Sequence, residues 1–258
     1  MYHSIIFDDT YNTYATWHLI PTNRPVMGTS DVEYVYSSIP PFTPYFQQYM
    51  GRGVNIKRSG SWDFVVDHRY SDYSQPVLFS EIQSAIHGKV CRIRFEDDHS
   101  YYYIGKVRVR QWNPDAHFST ISIEADCDPF KYGNRVTETI TTQGATITNQ
   151  GKFTAPMIVT VNFGNASQNN EVTLTGMARD KITGDAESIT VRATEPHASI
   201  CIDGEKKIVY KQGSSGTIYQ DIDMWSFPSI KPGNNIFGVS GLRDNSDSVV
   251  ISYAPRFL

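Results

Sequence analysis

The residues of this chain with the clearest chemical potential are acidic, and they occur in two short groups. Asp97, Asp98 and His99 are consecutive, and carboxylate and imidazole groups are common metal ligands. Three ligands from one tight turn cannot surround an ion unless others arrive from elsewhere, so we interpret this group as a solvated turn. Asp221 and Asp223 would share one strand face, but glycoside hydrolysis needs a cleft and a suitable carboxylate separation. We interpret this pair as a polar strand edge.

The other reactive side chains do not form a known catalytic or metal-binding motif. Cys91, Cys127 and Cys201 have no framework spacing, which predicts reduced thiols in a reducing compartment, with Cys91 in the core. None of the seven histidines has a zinc spacing, and the chain has no nucleophile elbow, phosphate-binding glycine loop or dinucleotide fingerprint. We therefore expect no catalytic residue, no cofactor and no bound metal.

Composition limits the class of protein further. The 258 residues suit two domains or one large all-β domain, and the aromatic content of 13% suits strands and interfaces. A net charge of -4 excludes a global attraction to nucleic acid. Because no apolar run approaches the roughly 18 residues of a membrane span, we expect no membrane insertion. The N-terminus lacks the features of a secretory signal peptide.

A single amphipathic helix is predicted from Leu78 to His87. Ser74 can cap its beginning, Pro76 suits its first turn, and Gly88 suits the left-handed position after its end. Five apolar residues fall at helical spacing on one face: Leu78, Phe79, Ile82, Ala85 and Ile86. This stripe predicts packing of the helix against a sheet.

Three strands are predicted directly after this helix, at 91–95, 101–110 and 121–125. Apolar and polar residues alternate in each of them, which predicts a meander with one buried and one solvated face. On the middle strand Lys106, Arg108 and Arg110 share the polar face. This local basic stripe is either a solvated sheet surface or an interface.

The N-terminal region before the helix is less regular. Residues 2–7 and 14–20 are predicted to be extended, and 55–66 is predicted to be one strand with a possible bulge at Gly60. The proline-stiffened segment from Tyr34 to Tyr49, which precedes the last of these strands, we call the aromatic arm. It is either a local loop or an arm that binds a partner through exposed aromatic rings. Its candidate interface residues are Tyr36, Phe42, Tyr45, Phe46 and Tyr49.

The composition changes after Tyr132, where we place a domain boundary. Residues 136–150 are nearly all Thr, Ile, Gly, Asn and Gln, and short strands with polar turns follow, which favours a β-sandwich. Asp203 and Gly204 indicate a two-residue hairpin turn. Trp225 could stack on a sugar ring, although a core or staple role together with Phe227 is the simpler interpretation.

Short motifs occur in a fixed order along nearly the whole chain. They are Ile6 to Tyr14 with Trp17, Ile86 to Lys89, Tyr101 to Val107, Cys127 to Tyr132, Asn149 to Gly151 with Ala155 and Pro156, Ile202 to Glu205, Lys231 to Asn235, and Tyr253 to Leu258. In this order they resemble the distal tail proteins (Dit) of long-tailed, non-contractile phages. Residues 36–50 depart from the resemblance, since a Gly/Asp-rich loop would be expected there.

The resemblance implies a mainly β fold and a structural role. The expected fold is an N-terminal β-sheet or barrel-like belt domain with one α-helix at 1–132, which forms the ring, and a galectin-like β-sandwich at 133–258. Such proteins form a homo-hexameric ring hub at the distal end of the tail tube, within the virion. The ring joins the tube protein to a tail-tip or tail-associated protein and to the receptor-binding machinery, and DNA passes through it without specific binding.

Two other functions stay open at this stage. The C-terminal sandwich could be a carbohydrate-binding module for host attachment, although fold alone does not confer that function. The histidine, asparagine and arginine pattern of true galectins is not visible in the sequence. A wall-degrading hydrolase or lyase is the third hypothesis. The structural hub is the prediction that we carry forward, with assembly in the host bacterial cytoplasm.

Overall fold

The chain folds as two compact units, each with its own hydrophobic core. The computed structural model describes residues 3–33, 54–67, 75–114, 119–164, 170–179, 185–193, 197–214, 216–243 and 247–258. The first unit comprises Met1–Tyr132 with Leu258, and the second comprises Gly133–Phe257. The fold is mainly β, as the sequence predicted. Within the described ranges, neither helix has the length and apolarity that a membrane span requires.

A strongly paired antiparallel sheet forms the first unit. The predicted three-stranded meander is confirmed as β6, β7 and β8, which occupy the middle of the strand order β2-β1-β6-β7-β8-β5-β3. Strand β4 pairs with β5 beside β3. The strands are β1 (Ile5–Phe7), β2 (Tyr11–Asn12), β3 (Leu19–Pro21), β4 (Ser30–Glu33), β5 (Val54–Val66), β6 (Val90–Phe95), β7 (Tyr101–Asn113), β8 (Thr120–Cys127) and β9 (Lys131–Gly133).

A short helix replaces part of the second predicted extended piece. Helix α1 (Thr13–Trp17) begins after Asn12, whose side-chain oxygen accepts hydrogen bonds of 2.9 Å from the backbone N–H groups of Tyr14 and Ala15. Trp17 is fully buried and stacks on Tyr11 with ring centroids 5.4 Å apart. The expectation of a strand from Tyr14 was wrong because capping and burial of the Trp17 ring outweigh the β propensity of the segment.

The predicted amphipathic helix is present as α2 (Gln75–Ile86) and begins three residues earlier than expected. Ser74, its predicted cap, lies outside the described residues. Leu78, Ile82 and Ile86 are buried, and Gly88 has a φ of 75°, the left-handed conformation predicted after the helix. The helix packs on β7, where Phe79 stacks on Trp112 with centroids 5.1 Å apart.

The bulge predicted at Gly60 is not present. The register of β5 with β8 runs without interruption from Arg58 opposite Cys127 to Val65 opposite Thr120. The glycine instead provides space, because a Cβ at this position would lie 2.4 Å from the ring of Trp62. Trp62 is buried, and its ring N–H donates a hydrogen bond of 2.9 Å to the carbonyl of Val26.

Two antiparallel sheets share one core in the second unit and form a sandwich. One sheet has the order β10-β20-β12-β15-β16, with β18 on β12, and the other has the order β11-β19-β13-β14-β17. The strands are β10 (Val136–Ile140), β11 (Gly144–Asn149), β12 (Ala155–Asn162), β13 (Asn170–Arg179), β14 (Ala186–Ala193), β15 (Ser199–Asp203), β16 (Ile208–Lys211), β17 (Ile222–Asp223), β18 (Ser229–Ile230), β19 (Gly233–Ser240), β20 (Ser248–Tyr253) and β21 (Arg256–Phe257).

The connection between β15 and β16 is longer than the predicted two-residue turn. Asp203 pairs with Ile208, so four residues form the loop. Asp203 Oδ1 accepts hydrogen bonds of 2.9 Å from the backbone N–H groups of Glu205 and Lys206, which stabilises the wider turn. The backbone N–H of Gly204 donates to the Met157 carbonyl at 2.9 Å, so a buried strand fixes the loop.

A buried carboxylate joins loops of the second unit. Asp247 is 1% exposed and accepts hydrogen bonds from the backbone N–H groups of Gly164 and Arg243, both at 2.8 Å, and from Asn170 Nδ2 at 3.3 Å. A buried carboxylate is tolerated only when its oxygens are satisfied in this way. This residue therefore connects three separate segments of the sandwich.

Replacing this carboxylate should destabilise the second unit. Asp247→Ala leaves buried N–H donors without partners, and we expect it to lower the free energy of unfolding by about 3 kcal/mol. Urea denaturation of the full chain measures this loss. The matched control is Asp223→Ala on the exposed part of β17, which should change stability by less than about 0.5 kcal/mol. Equal stability of the two variants would contradict the role of Asp247.

Candidate interaction surfaces

The predicted basic stripe lies on the solvated face of the central sheet. Lys106, Arg108 and Arg110 are exposed, whereas Val107 and Val109 between them are buried. The register of β7 shifts between Val109 and Gln111, next to Arg110. The alternation read from the sequence is therefore confirmed, and the three basic side chains share one surface.

Acidic residues of β8 lie beside this stripe and compensate its charge. Arg108 makes an ion pair with Asp126, and Arg110 Nη1 donates to Glu124 Oε1 at 2.6 Å. From β5, Lys57 Nζ lies 3.9 Å from Asp126. These exposed pairs contribute little stability individually, but the two acids offset half of the charge of the four cations and so lower the positive potential of this surface. We call this surface the compensated face.

The alternation along the third predicted strand placed Glu124 on the solvated face from the sequence, opposite Ile123 and Ala125. The sequence did not predict that Glu124 and Asp126 lie beside the basic stripe. The register of β7 and β8 decides the rest, because it sets Arg108 opposite Glu124 and Lys106 opposite Asp126. Strand register is a tertiary property that the sequence of one strand does not specify.

The acidic turn after β6 holds the N-terminal segment. Asp97 Oδ1 lies 2.8 Å from His3 Nδ1, and Asp97 Oδ2 accepts from Arg24 Nε at 2.8 Å. Glu96 accepts from the hydroxyl and the backbone N–H of Ser4, at 2.5 and 3.0 Å. Among the residues that the structure describes, no cluster of three or more His, Cys, Asp or Glu could hold a metal ion. The turn is therefore a clamp on the segment that precedes β1.

The electrostatics of this clamp favour the charged carboxylates. The Ser4 hydroxyl, followed by the Ser4 backbone N–H, lowers the pKa of Glu96. The contact with His3 is the largest cause that lowers the pKa of Asp97. Hydrogen bonds to an ionised carboxylate stabilise it relative to the protonated acid. Both groups therefore remain ionised at neutral pH and are available to hold the N-terminal segment.

A second cluster of charged and aromatic groups surrounds β6. Arg92 Nη1 donates to Asp9 at 2.9 Å, and its guanidinium carbon lies 4.6 Å from the ring centroid of Tyr102. Tyr102 in turn stacks on Tyr132, with centroids 5.5 Å apart. Burial raises the pKa of the nearby Cys91 thiol to about 12, so it is not a thiolate at neutral pH. This cluster supplies packing and charge pairing rather than a nucleophile.

The five aromatic residues of the predicted arm lie outside the described part of the chain. Their role as partner contacts therefore remains a prediction from the sequence. They are Tyr36, Phe42, Tyr45, Phe46 and Tyr49.

Trp225 is the most exposed of the large apolar side chains in the described residues. Its exposed fraction is 90%, which contradicts a core role for this ring. Phe227 takes the inner position instead, because it packs against the sandwich core and lies 5.1 Å from Lys207 Nζ. Trp225 follows directly after β17, where Asp223 is also exposed. The sequence could not show which of the two aromatic side chains is exposed, since both occur in the same short loop.

Because acids of β8 pair with its cations, we expect the compensated face not to bind DNA. Replacing its acids in Glu124→Gln with Asp126→Asn leaves Lys57, Lys106, Arg108 and Arg110 unopposed. We expect this double variant to bind duplex DNA in about 50 mM salt and to release it in about 200 mM salt, whereas the parent protein should not bind. Fluorescence anisotropy of a labelled duplex measures both.

A second double variant controls for net charge alone. Glu171→Gln with Asp223→Asn alters the net charge by the same amount on the second unit, where both residues are exposed. This control should not bind DNA. Binding of the parent protein, or equal binding by both double variants, would show that the acids of β8 do not govern the surface.

Comparison with known proteins supports the architecture described above. No protein-family model matches the chain, and no curated protein matches its sequence. Among solved structures, the SPP1 phage Dit protein, described as a paradigm of the hub adsorption apparatus in phages that infect Gram-positive bacteria, is similar at a TM-score of 0.69. The match has 16% sequence identity and covers 99% of both chains.

A second solved structure belongs to the baseplate of phage p2 in its activated conformation with strontium. It is similar at a TM-score of 0.50 with 10% identity, over 98% of this chain and 97% of that one. At these identities the likeness establishes the fold. The chain therefore has a Dit-like fold over nearly its whole length, and the resemblance seen in the sequence motifs is confirmed at that level.

Proposed function

We propose that this protein is a structural component of a phage tail, and that it forms a hexameric ring hub at the distal end of the tail tube. The observation that carries the proposal is the fold shared with SPP1 Dit, because it extends over 99% of both chains and includes both units. In this proposal the protein has no catalytic activity, and it connects other virion proteins. Assembly takes place in the host bacterial cytoplasm.

The first unit supplies the ring in this proposal. A surface that binds a different surface on the next copy closes into a ring when the rotation between copies divides a full turn. Candidate contacts are the aromatic arm and the cationic residues Lys106, Arg108 and Arg110. The second unit, residues 133–258 as a galectin-like domain, would then project outward and remain available for other partners.

The compensated face suits a protein through which DNA must move. A lumen with a dense coat of unpaired cations would hold the phosphate backbone, since each neutralised phosphate adds to affinity. If the compensated face lines the lumen instead of a contact between copies, the pairing of Arg108 and Arg110 with acids of β8 reduces this attraction. In the proposed ring DNA passes without specific binding, and the ring contacts the tail tube protein on one side. On the other side it contacts a tail-tip or tail-associated protein, and through it the receptor-binding protein.

Ring formation can be tested with the purified full chain. We expect mass photometry to show a species of six copies and negative-stain images to show rings. Deleting Tyr36 to Tyr49 should leave both units folded by circular dichroism and thermal melting, and should shift the population toward smaller species, because it removes the proposed aromatic contacts.

The alternatives give different results in the same experiment. A strict monomer at high protein concentration, together with the absence of rings in virions, would refute the hub. If the deletion unfolds the first unit, the segment is part of its local core and not a partner arm. A deletion variant that assembles as well as the parent would refute the role of the arm in assembly, but not the ring itself.

A carbohydrate-binding role of the second unit is a second candidate function. The observation that favours it is the 90% exposure of Trp225, because an exposed indole face can stack on the apolar face of a sugar ring. Asp223 and the neighbouring polar loop residues could accept hydrogen bonds from sugar hydroxyls. In this role the protein would act in host attachment as an adhesion module.

Trp225→Ala tests this role on a glycan array and by calorimetry with the sugars that bind. We expect loss of about tenfold or more in affinity, since stacking on one aromatic ring contributes about 1–3 kcal/mol in comparable ring contacts. Ile236→Ala is the matched control, because Ile236 is 80% exposed on the same unit but is not aromatic. No binding by the parent protein at about millimolar sugar would count against the adhesion role.

A further inference from the structure

Two neighbouring strands of the sandwich each have a free edge. Among the described residues, β10 pairs only with β20 and β11 pairs only with β19, so each strand ends its own sheet. Residues of both strands line one groove, so the two strands lie on the same side of the sandwich. Between them runs a groove with a volume of about 440 Å³.

The free edge of β11 turns alternate backbone groups toward this groove. Side chains of the same unit occupy two of its carbonyls, since Thr142 Oγ1 donates to the Gly144 carbonyl at 3.1 Å and Tyr253 bonds Thr148, whereas no side chain of the described residues bonds the backbone of Thr146. The hydroxyl of Tyr253 donates to the Thr148 carbonyl at 3.2 Å, although Thr148 lies opposite Asn234 of β19. The Thr148 carbonyl therefore points away from β19. Because the direction alternates along an antiparallel strand, the backbone groups of Thr146 and Gly144 point the same way. These outward groups form the hydrogen-bonding edge of a strand.

This edge lacks the usual protection against pairing with another chain. No charged residue occurs from Thr139 to Gly151, a segment rich in β-branched threonine and isoleucine. Natural proteins normally protect an exposed edge strand with charged side chains, proline or a bulge. The register of β11 with β19 runs without a shift from Gly144 to Asn149, so a bulge does not protect it either. An unprotected regular edge of this kind is a template for strand addition.

The walls of the groove specify the side chains that an incoming strand would carry. Val136, Ile140, Ile147 and Pro255 give it apolar walls, which suit an inserted apolar side chain. Glu138 is the one charged lining residue, and it makes no ion pair with the described residues. Burial, followed by the charge of Glu138, raises the pKa of Tyr253, which agrees with a carboxylate that faces into the groove.

We propose that the groove between β10 and β11 binds an extended segment of another protein, which adds as a strand to the edge of β11. The segment packs an apolar side chain against Val136 and Ala145, the partly buried apolar residues of the lining, and places a lysine or arginine opposite Glu138. A second copy of this chain is a poorer occupant, since its own β11 carries no basic residue for Glu138. The proposal concerns the second unit alone and does not depend on ring formation.

The probe is a displayed library of random peptides of about ten residues, the length of a strand. Selection against the full-length protein should enrich sequences that alternate β-forming residues and include one apolar and one basic anchor. Fluorescence polarisation then gives the affinity of the enriched peptides for the parent protein and for three variants.

Two of the variants change the groove, and the third is a control. Thr146→Pro removes the outward N–H at the edge, where proline is tolerated, and Glu138→Lys reverses the charge of the groove. We expect each to weaken binding about tenfold or more. Ser188→Lys adds a charge at an exposed position of β14, a strand that pairs with both β13 and β17, and this variant should bind peptide as the parent does. Thermal melting confirms that each variant is folded, and Glu138→Lys carries the test if Thr146→Pro is not.

Three outcomes would overturn the proposal. The first is a selection that enriches no peptide. The second is enrichment of peptides whose affinity is unchanged in both groove variants. The third is a change of oligomeric state caused by Thr146→Pro without any peptide binding, which would assign the edge to a second copy of this chain. Failure of ring formation alone leaves all three outcomes unaffected.

Discussion

The alternation of buried and exposed residues along β6, β7 and β8 is the constraint on which the first unit depends. Each strand presents one face to the core, where Ile93, Val107 and Ile123 are buried, and the other face to solvent. A shift of one residue in the register would exchange the two faces completely. The same register sets Arg108 and Arg110 beside acids of β8, so core packing and surface charge have one cause.

Both units contain sheets that end in strands paired on one side only among the described residues, and the groove described above lies beside two such strands of the second unit. In the first unit, β5 is paired with β8 on one side and with β3 and β4 on the other, and the turn after β6 holds the N-terminal segment through Glu96 and Asp97. In the second unit, β10 and β11 leave two edges open beside an apolar groove among the described residues. An open edge beside an apolar groove favours the binding of a further chain.

Several features of the fold could be predicted from the sequence because their signals are local. The apolar spacing of Leu78, Ile82 and Ile86 predicted a helix, and strict alternation predicted the meander after it. Two expectations failed because of side-chain contacts between residues close in the chain, which the alternation of apolar and polar residues does not show. Asn12 and the buried Trp17 ring produce a helix in a segment with strand propensity. Close contact with the Trp62 ring explains why residue 60 is a glycine, although the strand has no bulge there.

The sequence by itself determined the mainly β fold, the chemical types of the candidate residues and the uncharged segment from Thr139 to Gly151. Only the tertiary structure decided which of these residues meet. Strand register placed Asp126 beside Arg108. Packing of the loop after β17 left Trp225 exposed and Phe227 partly buried. The order of the strands left β10 and β11 at the ends of their sheets. Pairing between distant strands depends on the total packing of the core, and no local pattern of residues encodes it.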